Sequence, residues 1–128
     1  MPKAASSTHP PQPDTATVLS KAVLRAAEKL ELRQAHLGKL LGLSAATASR
    51  LSAGTWTLPE NSKAWELATA FVRIYRSLSA ITGGEVRAMR TWLHSQNAAL
   101  GGKPAERMVS AEGLIHVLHS LDAERGRV

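Results

Sequence analysis

Side chains that can read nucleic acid are concentrated in one segment, residues 34–54. Arg50 can donate two hydrogen bonds to O6 and N7 of guanine, worth roughly 1–3 kcal/mol of base discrimination, and Thr47 offers a hydroxyl or a methyl group. Gln34 and Ser44 stand where two helices are expected to begin, and helix N-termini hold phosphate groups. Arg50 could instead be a solvated surface arginine, but its place in the segment favours contact with a base. Together with two alanines that can only touch thymine methyl groups, the predicted DNA-reading residues are Gln34, Ser44, Ala45, Ala46, Thr47, Ser49 and Arg50.

Other chemistry finds little support in the sequence. The chain has no cysteine, which excludes disulfides, thiolate metal sites and thiol catalysis. His116 and His119 are spaced to share a helix face, but no Asp or Glu completes a convincing set of metal ligands near them. No phosphate-binding glycine loop or nucleophile motif occurs. We therefore predict no catalytic residue, no metal site, no cofactor and no enzymatic activity.

The elements that position the DNA-reading side chains follow from spacing. Leu37, Leu40 and Leu41 lie on one face of a predicted helix. Gly42 follows directly, where a left-handed residue ends a helix at little cost. Ser44 can then cap a second helix, which repeats the apolar face and ends at another glycine. A helix, a glycine turn and a capped helix predict a helix-turn-helix.

Composition agrees with a small helical protein that meets a polyanion. The formal net charge is +6, the isoelectric point is about 10.3, and 44% of the residues are hydrophobic. Residues 1–64 carry 8 Lys/Arg against 4 Asp/Glu, whereas residues 65–128 carry 8 against 6, so the half with the helix-turn-helix is the more basic. Alternating β-branched runs are absent, so almost no sheet is expected. With no apolar run near membrane length and no signal-peptide core, a cytoplasmic protein is expected.

The remaining segments are predicted to be helical around this unit. Val18 is expected on the inward face of a first helix. A wide apolar face on the longest predicted helix either packs only into the core or also forms a dimer contact, and both remain open. Residues 122–128 are expected to be a polar, mobile tail. The predicted organisation is all-α: a flexible arm (1–14), a helix-turn-helix bundle (15–60), a long connecting or dimerisation helix (61–82) and a small helical domain with a tail (83–128).

Residues 34–54 resemble the Xre-type, phage-repressor-like helix-turn-helix family. The resemblance rests on a glutamine that opens the first helix, then Leu-x-x-Leu-x-Gly-Leu-Ser, then Ser-Arg-Leu-x-x-Gly. This pattern specifies a turn, a cap and a core face together. In some antitoxins, such a unit serves partly for oligomerisation, which would give the same sequence pattern.

The C-terminal third resembles the toxin-binding domain of the Xre/MbcA/ParS antitoxins. Its matching residues are Trp92-Leu93, Gln96-Asn97, Leu100-Gly101-Gly102, Pro104, Met108 and Gly113. The resemblance implies a partner that is a RES-domain toxin, or a relative, which consumes NAD or transfers a group from it. It also implies an antitoxin region that covers the toxin's active-site cleft, and repression of the operon at its promoter, often as a complex with the toxin. The residues that it assigns to toxin binding are Trp92, Asn97, Leu100, Lys103, Arg125, Gly126, Arg127 and Val128.

One position departs from that family. An aromatic residue often precedes the near-terminal glycine, whereas here Arg125 precedes Gly126. The guanidinium could meet an acidic or phosphate-binding pocket of the toxin. Equally, the tail could lie away from the toxin's active site.

Two functions therefore compete. The first is an antitoxin that forms a homodimer, or a larger assembly with its toxin, and binds operator DNA. The second is a stand-alone dimeric Xre-family repressor whose C-terminal third only dimerises; it would bind half-sites about one helical turn (~34 Å) apart.

Overall fold

The computed structural model describes residues 14–126, and every regular element in that range is a helix. The all-α prediction, a helix-turn-helix bundle joined by a long helix to a small helical domain, is confirmed. The predicted arm, 1–14, lies outside the described residues except for Asp14. None of the described helices is long and apolar enough to cross a membrane. The helices are α1 (Thr15–Lys29), α2 (Gln34–Leu41), α3 (Ala45–Ala53), α4 (Lys63–Ile81), α5 (Val86–His94), α6 (Pro104–Arg107) and α7 (Ala111–Gly126), with a 3-10 turn at Ala98–Leu100.

The long helix α4 is the centre of the fold. It begins at a side-chain cap, because the Ser62 hydroxyl oxygen accepts a hydrogen bond from the Trp65 N–H at 3.1 Å. Phe71, Ile74 and Leu78 are completely buried along it. Helix α7 packs along α4, and α1, α2 and α5 also contact it. The wide apolar face is thus largely covered within one chain.

The hydrophobic core is continuous from Val23 in α1 to Leu121 in α7. A separate core for each predicted domain is not seen, since α4 contributes to both halves. The boundaries 15–60, 61–82 and 83–128 therefore remain predictions about function.

Polar contacts also join the two halves. Arg90 in α5 donates from Nε to the Lys29 carbonyl at 2.8 Å and pairs with the Glu31 carboxylate at 3.1 Å. His36 in α2 places Nε2 2.7 Å from the Ala105 carbonyl. Since a carbonyl can only accept, His36 carries its proton on Nε2 in this contact. We call these contacts between the two halves (Arg90 with Lys29 and Glu31, and His36 with Ala105) the seam; they add hydrogen bonds to the shared apolar core.

The expectation of a mobile tail from residue 122 is wrong for residues 122–126, which continue α7. Asp122 accepts from Arg73 Nη2 at 2.9 Å and from the Ser77 hydroxyl at 3.3 Å. Arg125 Nη1 donates to the Ser77 oxygen at 3.1 Å. These side chains pair across α4 and α7, which explains why polar residues continue the helix.

The expectation that Val18 lies inward is also wrong, because its exposed fraction is 50%. The buried face of α1 runs instead through Ala16, Ser20 and Val23. Ser20 is tolerated there because its hydroxyl oxygen accepts from the Leu58 N–H at 3.0 Å. Compared with the predicted orientation, α1 is therefore rotated about its axis. Ser20, whose hydroxyl is hydrogen-bonded, is buried, and Val18 is exposed.

Candidate functional site

The turn between α2 and α3 has a defined geometry. Gly42 adopts a left-handed conformation (φ 70°), and its N–H donates to the Lys39 carbonyl at 3.1 Å. The Leu43 N–H donates to the Gly38 carbonyl at 2.8 Å. These two bonds form a Schellman motif, which satisfies carbonyls at the end of α2 and sets the direction of the chain.

A close approach between α2 and α3 fixes the second helix. A Cβ at Gly38 would lie 3.0 Å from the Ala48 Cβ, tighter than ordinary side-chain contact. Gly38 and Ala48 are both buried. No motif in the sequence points to Gly38; the only signal for its role is a missing side chain next to the apolar residues of the same helix.

Helix α3 presents a continuous exposed face. Ala45 and Ser49 are one turn apart, as are Ala46 and Arg50, and all four residues are exposed. Ala48 and Leu51 point the other way, into the core. Four of the predicted DNA-reading residues (Ala45, Ala46, Ser49 and Arg50) therefore share one accessible surface, which we call the DNA-reading surface.

The other predicted DNA-reading residues lie at helix starts. Gln34 is the exposed first residue of α2. The Ser44 hydroxyl oxygen caps α3 by accepting from the Thr47 N–H at 3.1 Å. Ser44 also donates to the Thr47 hydroxyl at 3.0 Å, and Thr47 is half-buried. Thr47 thus supports the cap beside the exposed face.

The segment that carries this surface contains basic residues but no acidic ones; two carboxylates outside it, Glu31 and Glu106, share a hollow with Arg33 and Lys39. Residues 32–59 contain no Asp or Glu, but they contain Arg33, Lys39 and Arg50. All three basic residues are exposed. A flat helix face of small side chains, flanked by positive charge and by two helix N-termini, suits the phosphate backbone of a nucleic acid.

At the other end of the molecule, a closed loop follows α5. The Asn97 N–H donates to the Gly102 carbonyl at 3.1 Å, and the Gly102 N–H donates back to the Asn97 carbonyl at 3.2 Å. The Asn97 side-chain oxygen also accepts from the Leu100 N–H at 3.3 Å. The loop therefore has a fixed conformation and is followed at once by Pro104, which opens α6.

Half-buried Trp92 lies between two open hollows beside this loop. The first hollow, of about 580 Å³, is lined by α5 and by the residues after it. The second, of about 500 Å³, is lined on its far side by α7. A tryptophan between two concave surfaces is a typical anchor for a protein partner. We call this surface the tryptophan face; besides Trp92 and Asn97 it includes Glu85, Arg87, Ala88, Thr91, Ser95, Gln96, Ala99, His116, His119, Ser120, Ala123 and Glu124.

The structure separates the predicted toxin-binding residues into different environments. Leu100 is only 2% exposed, so its side chain anchors the loop from within the core, and a direct contact through it stays a prediction. Lys103 is half-buried at the start of α6. Arg125 is held against α4 by its bond to Ser77, and Gly126 is exposed at the end of α7. Arg127 and Val128 lie outside the described residues.

The histidines lend no support to a metal site. Among residues 14–126, no group of three or more His, Asp or Glu side chains could hold an ion. His116 and His119 instead line the α7 side of the tryptophan face. Glu85 and Arg87 line this face although their sequence pattern does not single them out, because charged residues on an amphipathic helix are usually only solvated.

The fold and these two surfaces define a helix-turn-helix protein with a second, helical binding module. The antitoxin Xre-like helix-turn-helix domain family matches residues 9–73, just over half of the chain. The antitoxin Xre/MbcA/ParS C-terminal toxin-binding domain family matches residues 77–127. The chain belongs to the Xre-like antitoxin family, whose members typically act by binding rather than by catalysis. No match is found among curated proteins.

Proposed function

We propose that this chain is the antitoxin of a type II toxin–antitoxin pair whose toxin is a RES-domain enzyme that consumes NAD. It binds the toxin through the tryptophan face and blocks access to the active site. It also represses its own operon, as a homodimer, by placing α3 in the major groove of promoter DNA. The observation that carries this proposal is the presence, in one chain, of two different exposed surfaces, each of which falls within one of the two matched antitoxin domains.

The DNA-reading surface supports the repressor role. Helix α3 has small residues at its start, which permits close approach to base edges, and Arg50 is exposed further along the same face. The acid-free stretch 32–59 attracts the phosphate backbone without regard to sequence. Gln34 and the α3 N-terminus capped by Ser44 are placed to contact phosphates and so to set the register on DNA.

The tryptophan face supports the toxin-binding role. Trp92 supplies a large amphipathic anchor, and the hollows on either side can receive protruding side chains. The face carries Glu85 and Glu124 as well as Arg87, so it does not favour a polyanion. A protein with mixed charges at its rim is the better partner.

The test is to capture the tagged full-length chain from its native cytosol and to identify what stays bound by mass spectrometry. The proposal expects a stoichiometric RES-domain protein encoded beside it. Co-expression of the two proteins should then restore both growth and cellular NAD. A partner of another class would exclude the RES assignment while leaving the antitoxin assignment in place.

If only promoter DNA and the chain itself are recovered, the stand-alone repressor is the better reading. A truncation after residue 82 gives a second criterion. A stand-alone repressor would lose dimerisation and DNA binding together. The continuous core means that such a truncation also exposes α4, so the fragment's helicity must be measured before its binding is interpreted.

A further inference from the structure

A third surface, distinct from the DNA-reading surface and the tryptophan face, lies between α1 and α4. It is a shallow groove of about 240 Å³ with mainly apolar walls. Val18 is the most exposed large hydrophobic residue among residues 14–126, and Trp65 at the other wall is half-buried. We call this surface the α1/α4 groove; it is lined by Thr15, Val18, Leu19, Ala22, Trp65, Thr69, Val72, Arg73 and Arg76.

Charge is distributed unevenly along the exposed side of α4: Thr69, Arg73 and Arg76 line the groove, and Glu66 lies beside it, next to the lining residue Trp65. Glu66, Thr69, Arg73 and Arg76 follow one another at spacings of three and four residues, so they share one helix face. Glu66 lies in the first turn of α4 and Arg76 lies ten residues later, about 15 Å along the axis at 1.5 Å per residue. Both residues are exposed. The strip therefore has a negative end, a small threonine near its middle and a positive end.

The two arginines differ in their surroundings. Arg73 is already paired with Asp122 of α7 at 2.9 Å. Arg76 makes no ion pair within residues 14–126. Arg76 is thus the cation that a partner at this groove would meet, and an acidic side chain is the chemistry it would meet best.

We propose that a second copy of this chain occupies the α1/α4 groove, with the two α4 helices antiparallel across a two-fold axis near Thr69–Val72. The two-fold operation places Glu66 of each copy opposite Arg76 of the other. Both charged residues of each copy are therefore paired with an opposite charge in the dimer. Apolar surface around Val18 and Trp65 is buried on both sides. An isologous contact of this kind is closed, and the groove shares no lining residue with the DNA-reading surface or with the tryptophan face.

This inference rests on the homodimer in the proposed function and assigns the surface that forms it. The charge pattern favours a second copy over the toxin, because a two-fold contact between identical helix faces gives both Glu66 and Arg76 an oppositely charged partner. The toxin already has a different surface, the tryptophan face.

The experiment is a charge-swap cycle on the full-length chain, followed by sedimentation velocity over a range of concentrations. Glu66→Arg and Arg76→Glu should each weaken dimerisation roughly tenfold or more, because each places like charges opposite each other twice per dimer. The double variant should restore most of the affinity. Val18→Asp should give a monomer with unchanged helicity, since that side chain is already half in solvent. Glu112→Arg is the matched control, because it reverses an exposed acid in the first turn of α7.

The outcomes separate this inference from the proposed function. A wild-type chain that stays monomeric at about 100 μM, or a dimer that survives all three groove variants, overturns the inference while toxin capture can still succeed. Loss of toxin capture by Val18→Asp would assign the groove to the toxin and overturn the inference in that way. Failure of the double variant to rescue dimerisation would show that the Glu66–Arg76 pairing is wrong.

Discussion

The two halves of this molecule present very different surfaces for recognition. The DNA-reading surface is the exposed face of α3, which has mostly small side chains and is positioned by the close approach of Gly38 and Ala48. Its segment, residues 32–59, contains basic residues but no Asp or Glu. The tryptophan face has one large anchor, two hollows and charges of both signs. The first surface suits a polyanion with a regular, repeating shape, such as the DNA double helix, and the second suits one protein of complementary shape. Affinity for DNA should therefore depend strongly on salt, whereas affinity for the toxin should depend on shape.

The most severe change is one that breaks both halves at once. A Cβ at Gly113 would lie 1.8 Å from the Arg107 carbonyl oxygen, so Gly113→Ala forces the backbone between α6 and α7 to move. We expect a loss of about 4 kcal/mol or more in the free energy of unfolding, measured by urea denaturation. Gly126→Ala is the control, because nothing lies within 4 Å of its Cβ position.

The same denaturation curves test whether the two halves fold together. With a continuous core, helicity and tryptophan fluorescence should change in a single transition. If the helix-turn-helix half remained folded in Gly113→Ala, the two halves would be independently folding domains and not one cooperative unit.

Trp92→Ala should affect only the second half. Removal of a central aromatic anchor from a protein interface typically costs 2–4 kcal/mol, or roughly 30- to 1,000-fold in Kd. Toxin binding measured by calorimetry should fall by that amount, while promoter binding stays unchanged. Val109→Ala, an exposed apolar residue outside both surfaces, is the control. Equal weakening by both variants would contradict the assignment of Trp92.

Arg50→Ala should affect only the first half, and by less. Loss of one bidentate contact to guanine costs roughly 1–3 kcal/mol and relaxes the preference at one base pair. Promoter binding should be measured against a substituted site by fluorescence anisotropy at two salt concentrations. Arg25→Ala removes the same charge from an exposed position on α1. If Arg25→Ala weakened binding equally and without regard to sequence, Arg50 would be acting only through its charge.

The smallest effect is expected at the seam. Arg90→Ala removes the hydrogen bond to the Lys29 carbonyl and the pair with Glu31. Because the Arg90 side chain is 36% exposed and the Glu31 side chain 66%, water screens the pair, and we expect only about 1 kcal/mol of lost stability. Arg87→Ala, on the same helix but without such bonds among the described residues, should cost less. Similar melting temperatures for the two variants would mean that the seam is held by apolar packing alone.

Features set by neighbouring residues could be predicted from the sequence. The turn at Gly42 and the cap at Ser44 depend on residues only a few positions apart. Their geometry is determined by the local backbone. The exposed face of α3 followed from the same local pattern.

Features set by packing between distant helices could not be predicted in this way. Helix α1 is rich in alanine, so several rotations give a plausible apolar face, and the buried serine at position 20 depends on the Leu58 N–H. Arg125 bonds to Ser77, which lies 48 positions away on α4, and no local pattern indicates this bond. Long polar side chains are the least predictable part of the candidate site, because they reach whichever helix happens to be near.

The shared helix α4 has a consequence for the lifetime of the protein. Since one core joins the DNA-reading surface to the tryptophan face, the unfolding that admits a protease removes both surfaces in the same event. No partial digestion product should keep one activity without the other. Control of transcription and restraint of the toxin would then decay with a single half-life, and the cell could not end one of them by proteolysis while keeping the other.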